Sequence, residues 1–275
     1  MIAAALIDTH CHFDFAPFCG DEAASLHRAR AAGIGDIIVP SIEASRFASV
    51  LALAHRYPML HAALGLHPLY IEHHRDTDIA ALDTLLAQAD PAVVALGEIG
   101  LDHYGDVRQP ARQLSLLQDQ LALAQRYDLP VILHSRRSHD LLAKILRQRR
   151  LMRTGVVHGF SGSLAQAQAF VRLGYAIGVG GTITYARANK TRAAVAALPL
   201  EALLLETDAP DMPLFGYQGA PNRPEQLTRV FAALCALRSE TPAQIAQALY
   251  DNTHRLFHFP RVPDAFRRFF ARVND

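Results

Sequence analysis

A pair of histidines follows the first apolar run of the sequence. His10 and His12 stand just after the uncharged run from Ala3 to Ile7, which predicts a buried strand. Because side chains alternate along a strand, both imidazoles leave the same face. Two imidazoles side by side at a strand end can chelate one divalent cation. The pattern predicts a metal site if further ligand-type residues reach the same place.

Four more ligand-type residues end later apolar runs of the chain. They are Glu98, His134, His158 and Asp208. Six ligands are too many for one tetrahedral cation, but they suit two divalent cations about 3.5–4 Å apart that share a water. Glu98 could bridge the two because a carboxylate offers two oxygens. Four imidazoles favour Zn, Mn, Ni or Co over Mg, although Mg stays a candidate.

Elements of alternating type must position these residues. Apolar runs predict eight strands, near residues 4–10, 36–41, 60–66, 93–98, 131–134, 155–158, 175–180 and 202–207. Helical periodicity predicts helices between them, near residues 21–32, 44–56, 77–89, 110–127, 138–150, 163–173, 188–197, 223–238 and 242–257. Thr241 and Pro242 form a cap and first-turn pair for the last long helix.

This alternation predicts an α/β fold, a (β/α)8 TIM barrel. Near-continuous apolar strands indicate a parallel sheet with helices outside, and the length suits eight units. The candidate ligands stand at the C-terminal strand ends, where active sites of such barrels form. An open doubly wound sheet is the alternative, but it usually carries a Gly-rich phosphate turn after the first strand, where this chain has His-Cys-His.

Composition limits the class of protein. The 275 residues are 51% hydrophobic and 19% charged, as in a globular protein, and we expect one domain over residues 1–275. No apolar run approaches the roughly 20 residues needed to span a bilayer, and we expect no signal peptide. Three cysteines without a CxxC pair favour a reducing cytoplasm, and we expect a monomer. The formal charge of +1 predicts no general basic field for nucleic acid.

Five motifs in order make the chain resemble the TatD family of metal-dependent deoxyribonucleases, within the amidohydrolase superfamily. The motifs are Asp8-Thr9-His10-Cys11-His12, Gly97-Glu98-Ile99-Gly100-Leu101-Asp102, His134-Ser135-Arg136, His158-Gly159-Phe160-Ser161-Gly162 and Glu206-Thr207-Asp208-Ala209-Pro210. The resemblance covers nearly the whole chain. One departure is Arg223, which stands where the family often has a glutamate in Asn-Glu-Pro.

The resemblance implies a metal-dependent nuclease. It places one cation among His10, His12, Glu98 and Asp208, and the other among Glu98, His134 and His158. The implied substrate is nucleic acid, DNA cut as single strands or at ends by a 3'-5' exonuclease.

Roles for individual residues follow from that implied reaction. Glu98 and Asp208 are the catalytic candidates, with Asp208 as general base. Candidate substrate contacts are His67, which could also assist the leaving group, Ser161 and Arg136 for phosphate, and Tyr185 for stacking on a base. His67 is equally explained as a polar rim residue, and the other three are better explained as plain loop residues.

Two other functions stay open at the level of sequence. The same barrel could hydrolyse an ester, amide or aminoacyl bond. Many barrels of the superfamily carry a carbamylated lysine on the fourth strand, where this chain has Glu98, which favours the nuclease. A metal-bound binding module without turnover is the third hypothesis, and the complete ligand set argues against it.

Overall fold

Eight parallel strands form one sheet in the computed structural model, which describes residues 5–105 and 109–259. Neighbouring strands pair in chain order, from the first to the eighth. The strands are β1 (Leu6–Asp8), β2 (Ile34–Pro40), β3 (Leu60–Leu64), β4 (Val93–Asp102), β5 (Val131–Arg136), β6 (Gly155–Val157), β7 (Ala176–Val179) and β8 (Leu203–Leu205). Buried, largely apolar strands of this kind require cover on both faces.

Helices between the strands cover the outer face of the sheet, and the inner face is covered by the side chains of the strands themselves. The helices are α1 (Glu22–Ala31), α2 (Phe47–Arg56), α3 (Asp78–Leu86), α4 (Pro110–Arg126), α5 (His139–Arg149), α6 (Leu164–Val171), α7 (Asn189–Ala197), α8 (Leu227–Cys235) and α9 (Pro242–Phe257). Thr241 caps α9 in a capping box with Gln244, and Pro242 opens its first turn, as the sequence predicts. The predicted (β/α)8 barrel is confirmed.

The apolar core lies in two layers. Strand residues that point inward, such as Ile38, Ala63, Ile132 and Leu204, fill the barrel, and Phe257 packs against them. A larger cluster fills the space between strands and helices. This filled interior leaves the polar strand ends as the place where side chains can meet a ligand.

Two strands differ from their predicted lengths in a way that matters. β4 continues to Asp102, beyond the predicted end at residue 98, because it pairs with β5 as far as Arg136. β1 ends at Asp8, so that His10 and His12 lie in the segment that follows it. The single domain over 1–275 stays a prediction, and the tail from residue 261 lies outside the described residues.

Backbone hydrogen bonds join the first and last strands and so bring the barrel together. Thr9 N donates to Leu205 O at 3.0 Å. The buried Asp8 carboxylate accepts bonds from Thr207 N at 2.9 Å and from Thr207 Oγ1 at 2.6 Å. A carboxylate on β1 therefore satisfies two buried donors just past β8.

Within the described ranges, every helix falls short of the length and apolarity that a bilayer crossing needs.

Substitution of Asp8 tests the junction between β1 and β8, which we call the seam of the barrel. Asp8→Ala should lower the free energy of unfolding by about 2–4 kcal/mol, because the amide and hydroxyl of Thr207 lose their buried acceptor. Asp8→Asn retains one acceptor oxygen and should cost less than half as much. Urea denaturation of both variants measures the difference. Equal stability of Asp8→Ala and the wild type would contradict a role for this carboxylate at the seam.

Candidate metal centre

Glu98 lies at the middle of the candidate site, and its oxygen Oε2 faces one group of donors. Oε2 is 3.1 Å from His10 Nε2 and 3.5 Å from His12 Nε2, and the two nitrogens are 3.3 Å apart. Asp208 Oδ1 stands 3.5 and 3.6 Å from the same nitrogens. Donors about 2.0–2.1 Å from a tetrahedral cation are separated by roughly 3.3–3.4 Å. The five distances above are close to that spacing, so the two imidazoles can share one cation with either carboxylate.

The other oxygen of Glu98 faces a second group. Oε1 is 2.7 Å from His158 Nε2, 3.0 Å from His134 Nδ1 and 2.9 Å from His67 Nε2. The Nε2 of His158 and the Nδ1 of His134 are 3.5 Å apart. One buried carboxylate thus presents each of its oxygens to a different set of imidazoles.

The barrel seam positions the first group. Asp208 N donates to His10 O at 2.8 Å, and His12 N donates to Ala209 O at 2.7 Å. These bonds flank an isolated parallel bridge between Cys11 and Ala209, just beyond the ends of β1 and β8. They hold donors from opposite ends of the chain next to each other.

Glycines let the backbone around Glu98 pack closely. A Cβ on Gly97 would lie 2.6 Å from the Cβ of Ile132, and one on Gly65 would lie 2.6 Å from the carbonyl carbon of Gly97. Any side chain at these positions would displace β4 from β3 or β5. The position of the Glu98 carboxylate is therefore fixed by main-chain packing on both sides.

The buried charges of the site depend on one another. Burial alone would raise the pKa of Glu98, but His158, His67 and His10 hold it well below its usual range. Burial opposes charge on His158, yet Glu98 raises the pKa of that imidazole to about 10. A carboxylate this deeply buried needs positive charge beside it, which either protonated imidazoles or cations supply. The donor set therefore fits divalent cations.

His67 differs from the other imidazoles in its hydrogen bonds. Leu69 N donates to His67 Nδ1 at 3.1 Å, so the ring proton is on Nε2 and is donated to Glu98. Burial lowers the pKa of His67 to about 4, which keeps the ring neutral. The structure thus places His67 as a support for Glu98, a contact that the sequence did not indicate.

Asp102 orients His134 from the far side of the ring. His134 Nε2 donates to Asp102 Oδ2 at 2.8 Å, which leaves Nδ1 directed at Glu98. Tyr104 N donates to the other carboxylate oxygen at 2.9 Å. A carboxylate behind an imidazole fixes its tautomer and strengthens it as a ligand. The sequence shows a second acid four residues after Glu98, but the extension of β4 that brings it behind His134 is seen only in the structure.

Glu206 is the second acid whose place the sequence did not indicate. It is fully buried, it accepts a hydrogen bond from Gly159 N, and its Oε1 is 3.9 Å from His158 Nδ1. The absence of a side chain at Gly178 leaves room for this carboxylate. Burial raises the pKa of Glu206 to about 8. Donor atoms of His10, His158 and Glu206 lie within 4.8 Å of one another, which is close enough for a cation to bind among them.

The remaining candidates lie at different distances from this centre. Arg136, Ser161 and His67 line a cavity of about 880 Å³ that opens over Glu98. Tyr185 does not line it: its hydroxyl donates to Pro213 O at 2.6 Å, and its ring meets Phe215 edge-on. The structure brings the first three to the centre and leaves Tyr185 apart.

Removing the charge behind His134 tests the positioning role of Asp102. Asp102→Asn should weaken retention of Zn²⁺ or Mn²⁺ by roughly 10- to 100-fold, because His134 loses its anionic partner. Metal content after dialysis against a graded chelator measures this. The matched control is Asp90→Asn, because Asp90 bonds His55 Nε2 at 2.8 Å on the surface. If Asp102→Asn and Asp90→Asn retain the metal equally well, Asp102 does not position His134 as a ligand.

The chain is similar to known proteins over most of its length. The family model described as "TatD related DNase" matches residues 7–258. The chain is 65% identical over 254 residues to "Uncharacterized metal-dependent hydrolase YjjV" of Escherichia coli (strain K12), covering 92% of this chain and 98% of that protein. It is 33% identical over 259 residues to "3'-5' ssDNA/RNA exonuclease TatD" of Edwardsiella piscicida, covering 92% and 99%.

A solved structure shows the same architecture. The crystal structure of YJJV, a TatD homolog from Escherichia coli K12, superposes with a TM-score of 0.92 at 64% identity, covering 94% of this chain and 100% of that one. The predicted resemblance is confirmed. The chain belongs to the family of TatD-related DNases and is a metal-dependent hydrolase.

Proposed function

We propose that this hydrolase cleaves phosphodiester bonds of nucleic acid, as a 3'-5' exonuclease on single-stranded DNA ends. The observation that carries the proposal is the placement of Glu98, which gives each of its two oxygens to a separate group of donors. A carboxylate shared in this way suits a pair of cations, and paired cations suit displacement at phosphorus. The relative from Edwardsiella piscicida, described as an ssDNA/RNA exonuclease, supports the substrate class.

The ligand assignment follows the two groups. One divalent cation would be held by His10, His12, Glu98 and Asp208, and the second by Glu98, His134 and His158, with Zn, Mn, Ni, Co or Mg as candidates. When bound, the cations polarise the phosphoryl oxygens and lower the pKa of water.

Asp208 is the proposed general base. Its Oδ1 faces His10 and His12, and the residue lines the cavity with part of its side chain exposed. The second oxygen, Oδ2, is therefore the atom assigned to take the proton from the attacking water. His67, with its proton on Nε2, holds Glu98 in place during the reaction.

The cavity offers different surfaces to phosphate and to bases. Arg136 and Ser161 supply polar groups for phosphate, whereas the exposed side chains of Leu69 and Met212 line the same cavity as apolar surface. Bases of a single strand stack on apolar and aromatic surface without regard to sequence. The cavity thus suits an unpaired strand end.

We propose a monomer in the cytoplasm as the working form. The cysteines at positions 11, 19 and 235 are all free thiols, as expected in a reducing compartment. Gel filtration with light scattering checks the oligomeric state.

Neutralising Glu98 tests the function. Glu98→Gln should reduce cleavage of a 5'-labelled oligonucleotide by roughly a thousand-fold or more, because both groups of donors lose their shared anion. Chelator treatment of the wild type should do the same, and added Mn²⁺ should restore activity. The exposed Glu201→Gln serves as the control.

The label pattern and the substrate range decide between functions. A ladder that shortens from the 3' end supports the proposed polarity. Full activity of Glu98→Gln would overturn the assignment. Turnover of amide or aminoacyl esters by a wild type that leaves oligonucleotides intact would favour the other hydrolase.

A further inference from the structure

Two arginines and a tyrosine stack at the rim of the cavity. The Cζ of Arg136 lies 3.6 Å from the centroid of the Tyr104 ring, and the Cζ of Arg137 lies 4.8 Å from it. All three residues line the cavity that also contains Glu98 and His134. Tyr104 is 50% exposed, so the group faces solvent in the cavity and is not part of the core. We call Arg136, Tyr104 and Arg137 the Tyr104 stack.

The strands that carry the metal centre also hold this stack. Arg136 follows His134 by two residues on β5, so both side chains leave the same side of the strand. Arg136 pairs with Asp102 of β4, and its carbonyl accepts a hydrogen bond from His103 N at 2.8 Å. Arg137 has a left-handed backbone with φ of 53°.

Within the part of the chain that the structure describes, the guanidinium charges of the stack are not used in direct ion pairs, although Arg136 lies close enough to Asp102 to act on that carboxyl electrostatically. Over residues 5–105 and 109–259, neither Arg136 nor Arg137 forms an ion pair with a carboxylate. The nearby acid Asp102 already accepts from His134 and from the Tyr104 amide. A guanidinium stacked flat on a ring keeps its N–H edges free, and those edges match the oxygens of a phosphate.

We propose that the Tyr104 stack is a second phosphate subsite, which binds a phosphate group of the substrate other than the one being cleaved. The inference rests on the proposed function and adds to it a requirement for at least two phosphates in a good substrate. The bound group is either an internal phosphodiester or a terminal monophosphate of the same strand. Both present the anionic oxygens that two guanidiniums recognise.

Substrates of graded phosphate number test the subsite. The wild type is assayed with Mn²⁺ on bis(4-nitrophenyl) phosphate, which carries one phosphate, on a trinucleotide with two internal phosphodiesters, and on a dinucleotide with a 5'-phosphate. Arg136→Gln and Arg137→Gln should each lower kcat/KM for the two-phosphate substrates about ten-fold more than for the single-phosphate ester. A larger loss on the trinucleotide identifies an internal phosphodiester as the ligand, and a larger loss on the dinucleotide identifies a terminal phosphate.

Salt dependence gives a second measurement. For a single-stranded oligonucleotide, the slope of log KM against log salt concentration should fall by about 0.7 in each variant, as expected for the loss of one phosphate contact. The matched control is Arg229→Gln, because Arg229 lies 4.7 Å over the Tyr217 ring outside the cavity lining. It should change neither the ratio of kcat/KM values nor the slope.

The outcomes separate the two proposals. If the wild type cleaves oligonucleotides and both arginine variants show the wild-type ratio and slope, the subsite is overturned and the nuclease stands. If the wild type cleaves none of the three substrates, the proposed function falls and the subsite falls with it. Circular dichroism spectra of the variants check that the exposed substitutions leave the barrel folded.

Discussion

Burial of the Glu98 carboxylate is the constraint on which the rest of the structure depends. An ionised acid without water is tolerated only beside compensating charge or hydrogen-bond donors, and here five imidazoles supply them. The same arrangement that makes burial tolerable creates the donor spacing that cations require. Removal of a single imidazole would therefore disturb both the local electrostatics and the candidate metal centre.

Charge in this barrel is arranged by depth, which the net charge of +1 conceals. The buried end of the cavity carries the Glu98 carboxylate, with the Asp102 carboxylate behind His134. The rim carries the exposed guanidiniums of Arg136 and Arg137. An acidic buried end attracts cations and a basic rim attracts a polyanion. A small net charge therefore does not argue against a nucleic-acid substrate when the two signs are separated in this way.

The fold and the six candidate ligands could be predicted because each depends on a short pattern. The repeated apolar runs predict the strands of the barrel. The His, Glu or Asp at the end of several runs predicts that the ligands meet at one rim. The roles of Asp102, Glu206 and His67 could not be predicted, because they depend on which ring nitrogen faces which oxygen. These contacts are decided by the extension of β4, by the space at Gly178 and by the amide of Leu69. None of the three features leaves a periodic pattern in the sequence.

The candidate metal centre also lies across the seam of the barrel. His10 and His12 follow the first strand and Asp208 follows the last, so their donor atoms come together only when β1 and β8 are joined. A cation that binds all of them binds the closed barrel and not an opened one. Its binding free energy must then stabilise the seam through linkage, by RT ln(1 + [L]/Kd) for one site. Closure of the barrel and binding of the cation are therefore thermodynamically linked. The hydrogen bonds between Asp8 and Thr207 stabilise the same closure without a cation.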